Sequence, residues 1–248
     1  SFDNHGHQTT EEYAFLPTTN ITHVDFVGKY LYVTRVRPQT PSLAPPPNID
    51  FDYNTLIVAE LDSQGSSIRP LGFWGTDSSD EYYARKVQVV GNTAYVLTSK
   101  QATTDWTATD SYLHAVDITD PTNPTTLSNV TTSSNDIYLD FAVLNERAFI
   151  SAFDDSANSI KIIKVDVSFP LGLTAGTTPT TVTASSGASN RPIPIKTDGS
   201  RVYLGYHDKI YAYGTNQSNN SALSSLISGG FTVDPDLRIA DIIVNGNY

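Results

Sequence analysis

Oxygen-bearing side chains at alternate positions are the first pattern in this chain with chemical content. In Asp50-Phe51-Asp52-Tyr53-Asn54, two carboxylates and an amide fall on every second residue. Asp154-Asp155-Ser156-Ala157-Asn158 carries a similar set further along. A hard cation such as Ca²⁺ takes roughly six or more oxygens, and a turning loop with spaced acids can supply some of them. Asp50, Asp52, Asn54, Asp154, Asp155 and Asn158 are therefore candidate Ca²⁺ ligands. Neither set has the Gly and distal Glu of a complete calcium loop. The competing reading is a solvated turn whose amide caps the next strand.

Other chemistry is sparse. His5 and His7 flank a glycine and could meet a transition metal, although histidines in a terminal segment usually do nothing. His23, His114 and His207 stand alone in sequence and read as packed or solvated strand residues. There is no G-x-S-x-G elbow, no H-E-x-x-H, no phosphate-binding glycine loop and no G-x-G-x-x-G. Any catalytic site would have to be assembled from separate stretches of chain.

The elements that would position such groups repeat along the chain. Val24–Val33, Val87–Val96, Phe141–Ile150 and Ile193–Leu204 each read as two apolar, period-2 segments joined by Gly, Asn or Asp. That is the pattern of a tight β-hairpin. Their aromatic anchors, Tyr32, Tyr95, Phe149 and Tyr203, are 63, 54 and 54 residues apart. A further strand phrase follows each hairpin: Asn54–Asp62, Asp110–Asp117, Asn158–Asp166 and Asp208–Gly214. Each opens on Asn or Asp and closes on Asp or Gly, residues that suit turns. Ile68–Trp74, Thr125–Val130, Thr180–Ala184 and Leu223–Ile227 are the expected fourth strands.

Four short strands in roughly 50–60 residues make a unit that cannot bury both its own faces and must stack on its neighbours. The expected fold is all-β: a β-propeller of four-stranded antiparallel blades, with four recognisable units and the start of a fifth. The units run approximately over 20–76, 82–132, 137–186 and 191–235, with a partial one at 237–248, all in one domain. A β-sandwich also supplies many short strands, but it does not predict phrases matched at near-constant spacing. The fifth unit would close either through an outer strand from Glu12–Leu16 or through blades beyond this sequence; the second is the expectation.

Composition narrows the partners. The 248 residues are 39% apolar, only 17% charged, and carry a formal net charge of −11. Such a surface repels phosphate backbones, so no nucleic-acid partner is expected. No apolar run reaches the ~18 residues of a membrane span. The chain has no Cys and no Met, which excludes disulfides and thiolate metal sites. Sequons at Asn20, Asn129, Asn216 and Asn219 are candidate glycosylation sites if the chain is exported.

The segment Val87–Ser99 with Tyr112–Leu127, VQVVGNTAYVLTS and YLHAVDITDPTNPTTL, resembles the LVIVD repeat of secreted bacterial and archaeal β-propeller proteins. Gly91, Ala94, Tyr95 and Val96 match its first half. Leu113, Val116, Asp117, Ile118, Asp120, Pro121 and Pro124 match its second. The third unit keeps Val165-Asp166-Val167-Ser168 and Pro170 but has Phe169 in place of the acid. The first keeps Leu61-Asp62-Ser63 without the prolines, and the fourth lacks the Asp phrase. The resemblance implies an extracellular or cell-surface module of unassigned activity, with no catalytic motif attached.

Two insertions fall between the second and third strands of their units. One is the Pro-rich stretch 37–49 and the other is 100–110, which carries Trp106. Loops on a rigid scaffold commonly carry function, and Trp106 is the candidate partner contact. The functional expectation is a secreted binding module for a protein, a glycan or further copies of itself. The alternatives are a propeller hydrolase or lyase with a channel site, with or without Ca²⁺, and a structural subunit of a surface layer or filament.

Overall fold

A computed structural model of the chain describes residues 21–35, 54–75, 82–101, 108–132, 136–154, 156–184, 193–206, 208–215, 223–225, 231–232, 239 and 241–244. The candidate positions His5, His7, Glu12–Leu16, Asn20, 37–49, Asp50, Asp52, Trp106, Asp155, His207, Asn216 and Asn219 lie outside the described residues. All regular structure among the described residues is β. The strands are β1 (Ile21–Val27), β2 (Tyr30–Arg35), β3 (Asn54–Leu61), β4 (Ile68–Gly75), β5 (Tyr82–Val90), β6 (Thr93–Gln101), β7 (Ala108–Asp117), β8 (Thr125–Val130) and β9 (Asp136–Leu144). They continue with β10 (Arg147–Asp154), β11 (Ser159–Asp166), β12 (Thr174–Ala175), β13 (Thr180–Ala184), β14 (Ile195–Thr197), β15 (Arg201–Tyr206), β16 (Lys209–Gly214), β17 (Ser224–Ser225) and β18 (Phe231–Thr232).

These form four antiparallel meanders: β1-β2-β3-β4, β5-β6-β7-β8, β9-β10-β11 and β14-β15-β16 with their outer strands. The fold is a β-propeller, and each sheet is a blade. The fourth strand of the first two blades is continuous, as the sequence leads one to expect. In the third, β12 and β13 both pair with β11, so the outer edge is split. In the fourth, β17 and β18 both pair with β16, which shortens the expected strand at Leu223–Ile227. Thr177-Thr178-Pro179 stands between β12 and β13. Proline cannot donate to a ladder, which explains the break in the third blade. The expected insertion at 100–110 is also shorter, because Gln101 still pairs with Ala108.

Burial explains why the blades stack. Tyr32, Leu56, Val58 and Trp74 of blade one pack with Ala84, Val87, Ala94, Val96 and Val116 of blade two. Tyr95, Leu97, Leu113 and Ala115 then face Tyr138, Phe141, Val143 and Ile150 of blade three. Phe149, Phe153, Ile160 and Ile162 face Ile193, Ile195, Val202 and Leu204 of blade four. Period-2 alternation thus gives each middle blade two apolar faces, one for each neighbour. A fully buried Leu or Ile contributes about 1.5–3 kcal/mol here, and the blades acquire that only by stacking.

The Asp that closes the third strand of the first three blades acts within its own turn. Asp62 Oδ1 accepts from the Gln64 backbone N–H at 3.2 Å, Asp117 Oδ1 from Thr119 at 2.9 Å and Asp166 Oδ1 from Ser168 at 2.9 Å. The turns that follow dock on the preceding blade. A Cβ on Gly72 of β4 would lie 2.4 Å from the Pro121 carbonyl oxygen and 2.8 Å from Pro124 Cδ. Ser128 of β8 donates to the Pro170 carbonyl of blade three at 2.6 Å. The Asp and Pro phrases are therefore devices of turn and blade contact.

Candidate site in the axial channel

The first strand of each blade lies nearest the axis, where β1, β5, β9 and β14 line a cavity of about 500 Å³. Register gives its geometry. In each hairpin one first-strand residue sits opposite the aromatic anchor: Asp25 opposite Tyr32, Gln88 opposite Tyr95, Ala142 opposite Phe149 and Lys196 opposite Tyr203. Two residues earlier come His23, Lys86, Asp140 and Pro194. The same addresses in four blades thus carry an imidazole, an ammonium, carboxylates, an amide and apolar groups.

Several of these side chains reach the next blade. Asp25 Oδ2 accepts from the Val89 N–H at 2.6 Å. Gln88 pairs both ways with the backbone of Val143, donating at 3.2 Å and accepting at 2.8 Å. Lys86 Nζ donates to Asp140 Oδ1 and to the Phe141 carbonyl, both at 2.6 Å. Asp140 Oδ2 in turn accepts from Ile195 N–H of blade four at 2.9 Å. Each clamp leaves capacity unused: an ammonium has three donors and a carboxylate about four acceptor sites. Among the described residues Lys86 retains one N–H, and Asp25 accepts from Val89 and, at 2.9 Å, Phe26.

Electrostatics separates the groups. Burial lowers the His23 pKa first, and the Lys86 charge adds to the effect against the weaker pull of Asp140. Its Nδ1 is buried and has no hydrogen-bond partner among the described residues. His23 is therefore a neutral imidazole at neutral pH, and with Nδ1 closed to solvent any exchange with the cavity must run through Nε2. Burial also lowers the Lys86 pKa, outweighing the Asp140 carboxylate beside it. At the rim of the cavity, partial burial of Asp198 opposes its charge, yet hydrogen bonds from Tyr203, Ser200 and Arg201 prevail and hold it at about 2. The extended segment 241–244 follows β14 on the same side. Asp241 pairs with Lys196 at 3.6 Å, and Val244 lines the cavity.

The residues expected from sequence to bind Ca²⁺ lie elsewhere. Asn54 opens β3, and Asn158 turns the chain between β10 and β11 with φ +48°. Asp154 Oδ1 accepts from Ser156 Oγ and the Ala157 N–H, and Oδ2 pairs with Lys161 at 3.1 Å. The same ammonium meets Asp136 at 2.5 Å, so Lys161 bridges two carboxylates on blade three. Asn129 is exposed on β8, an accessible position for a sugar. His114, unlike His23, is fully enclosed. It contacts Thr98 Oγ1 at 2.9 Å and stands edge-on to Trp74. Among the described residues, no group of three or more His, Cys, Asp or Glu is placed to hold a metal ion.

Sequence reading did not single out the channel. Its residues are about one blade apart in the chain, and His23 reads as isolated. The usable signal was the column defined by the aromatic anchors: the apolar phrase repeats around it while the inward residue changes in charge.

No family model matches the sequence, and no curated protein matches it. Solved structures do match in fold. A protein named as a candidate 6-phosphogluconolactonase from Bacteroides uniformis aligns with a TM-score of 0.56 at 11% identity, over 83% of this chain and 55% of the other. The periplasmic gluconolactonase of Pseudomonas aeruginosa aligns with a TM-score of 0.54 at 10% identity, over 85% of this chain and 59% of the other. The chain thus spans little more than half the length of these structures. At such identities the likeness is one of fold, the β-propeller.

Proposed function

We infer that this propeller acts on a small polar molecule in its axial channel, as a hydrolase of an ester or lactone bond. The observation that carries the reading is the convergence of His23, Asp25, Lys86, Asp140 and Lys196 at equivalent inward positions of four blades. A neutral imidazole is a competent general base. In the proposed step His23 takes a proton from water as the hydroxide adds to the substrate carbonyl carbon. The free N–H of Lys86 faces the developing oxyanion, the kind of fixed donor that lowers such barriers. The ring C–O bond then breaks, and the His23 proton passes to the leaving alkoxide. The names of the two structural neighbours make an aldonolactone the first substrate to try.

Hydrolysis of glucono-δ-lactone, followed by acid release above the spontaneous rate, tests the reading. His23→Gln should lower kcat by about 100-fold or more with little change in KM. Absence of turnover across lactones and esters, or an unaffected His23→Gln variant, defeats it.

The interaction-module reading keeps a specific motivation in the LVIVD-like unit of blade two and the insertions between second and third strands. On that reading a secreted or surface-displayed propeller holds a protein or glycan, or its own copies, through the loop carrying Trp106. Loss of such binding on Trp106→Ala, with lactone turnover absent, would favour it. A place outside the cytoplasm belongs to the interaction-module reading, and the periplasmic origin of one structural neighbour supports it. Ca²⁺ at Asp50, Asp52 and Asn54, or at Asp154, Asp155 and Asn158, stays a proposal that ion titration of the purified chain decides.

A further inference from the structure

The charge around the cavity selects among the ligands that the reading above admits, and the inference rests on that reading. Lys86 and Lys196 are the cations that line it. Each already has a carboxylate partner, Asp140 at 2.6 Å and Asp241 at 3.6 Å. Asp25 and Asp198 line the same space without a lysine partner among the described residues. Arg201 stands in the field of Asp198 and donates to Tyr203, so three cations against four aspartates leave one excess negative charge, and His23 adds none. No arginine stands among the described residues lining the cavity. A phosphate monoester is ordinarily held by unpaired lysines, by arginine forks or by runs of backbone N–H groups. Here it would instead meet Asp25.

The remaining features suit an uncharged polyol. Asp25 has acceptor sites beyond the two backbone N–H groups it serves, and a sugar hydroxyl can donate to them. Thr197 and Gln88 add neutral polar edges. Ala142, Leu144 and Val244 supply apolar contact for the C–H face of a sugar ring, while Val87 and Val143 turn their side chains into the seams between blades. Seven polar or charged residues and six apolar ones or glycine line the cavity, a mixture more polar than the usual small-molecule pocket and suited to a ligand rich in hydroxyls. We propose that the channel takes neutral polyhydroxylated molecules, sugars or their lactones, and rejects their phosphate esters, with Asp25 as the specificity-determining residue.

Glucose and glucose 6-phosphate are probes that differ by the phosphate alone and are not hydrolysed at a lactone bond. Titration of the intact chain by ligand-observed NMR should show glucose binding at least ~10-fold tighter at low salt, where excess charge is least screened. Asp25→Asn should reduce that ratio at least ~3-fold. Asp25 also ties blade one to blade two, so Asp241→Asn provides a second variant at an exposed residue. By releasing Lys196 it should improve glucose 6-phosphate binding about 2-fold and leave glucose unchanged. Equal or tighter binding of the phosphate ester, failure of both folded variants to move the ratio, or no binding of either probe overturns the inference. Preferential glucose binding without turnover of any lactone upholds it and removes the hydrolase reading. Lactone turnover without the expected preference does the reverse.

Discussion

Three of the four blades end their third strands alike, on an Asp, while all four begin their first strands differently. At the far end of the third strand, Asp62, Asp117 and Asp166 fill the same address and make the same hydrogen bond to a backbone N–H two residues on. At the axial address two residues before the position facing the aromatic anchor stand His23, Lys86, Asp140 and Pro194. A turn imposes one chemical demand, so one residue type satisfies it each time. The axial position imposes little on the backbone beyond extended pairing. Different side chains can occupy it, and together they compose a site that no single blade contains.

Among substitutions at neutral pH, the largest effect on stability should come from the axial set. Lys86→Ala leaves Asp140 without its cation in a largely enclosed place and should cost about 3 kcal/mol in denaturant unfolding, the lower end for a buried pair because the cavity is open. The Lys86→Met, Asp140→Asn double variant should recover much of that loss, since the removed charges compensate. A cost below about 1 kcal/mol for Lys86→Ala would mean that the pair is solvated, and with it the electrostatic account of His23.

His114 sharpens the contrast between a histidine at the axis and one between blades. Burial holds it near pKa 3, against 6.5 for the free group. The unfolded chain then binds a proton between those values that the folded chain does not. Stability should be unaffected above pH 6.5 and decline as pH falls towards 3, by up to roughly 4 kcal/mol from this group. The difference between the unfolding curves of the native chain and His114→Gln, taken from pH 7 to 4, isolates it from the carboxylates. A flat difference would show that His114 is reached by water, unlike the dry wall its contacts with Thr98 and Trp74 describe.

Gly72 tests the docking of the turn after Asp117. With backbone of the neighbouring blade 2.4 Å from any added Cβ, Gly72→Ala must part β4 from the Asp120–Pro124 turn. Overpacking of this kind costs about 1–3 kcal/mol. The melting curve should shift accordingly, while lactone turnover at a temperature where the chain is folded should not.

These regions were unequally legible in the sequence. Hairpins and Asp turns are local, so Gly91, Asp117 and Pro121 signal their roles within a few residues. The split of the third blade's outer edge depends on where one short strand can pair, which Thr174–Ala184 alone does not reveal. The channel was harder still. That Lys86 meets Asp140, or that His23 shares their field, depends on how far each blade is rotated against the next. Only when the four phrases are superposed on Tyr32, Tyr95, Phe149 and Tyr203 does the changing column become visible.

The smallest expected effect bears most directly on whether that contrast holds. The hydrogen bonds from Thr119 lower the Asp117 pKa, so its contribution is present above the ordinary carboxylate range and is lost as pH falls below it. Asp117→Ala removes the acceptor of the Thr119 N–H from a half-exposed turn, a loss of less than about 1 kcal/mol. Asp117→Asn keeps an acceptor oxygen and should lose less still, and it should flatten the acid limb that the native residue adds. Neither change should alter ligand binding or turnover, because this Asp serves only its own turn while the site lies on β1, β5, β9 and β14. Were Asp117→Ala to abolish activity in a chain that remains folded, the repeated Asp would have a chemical role and the division between structural ends and a functional axis would fail.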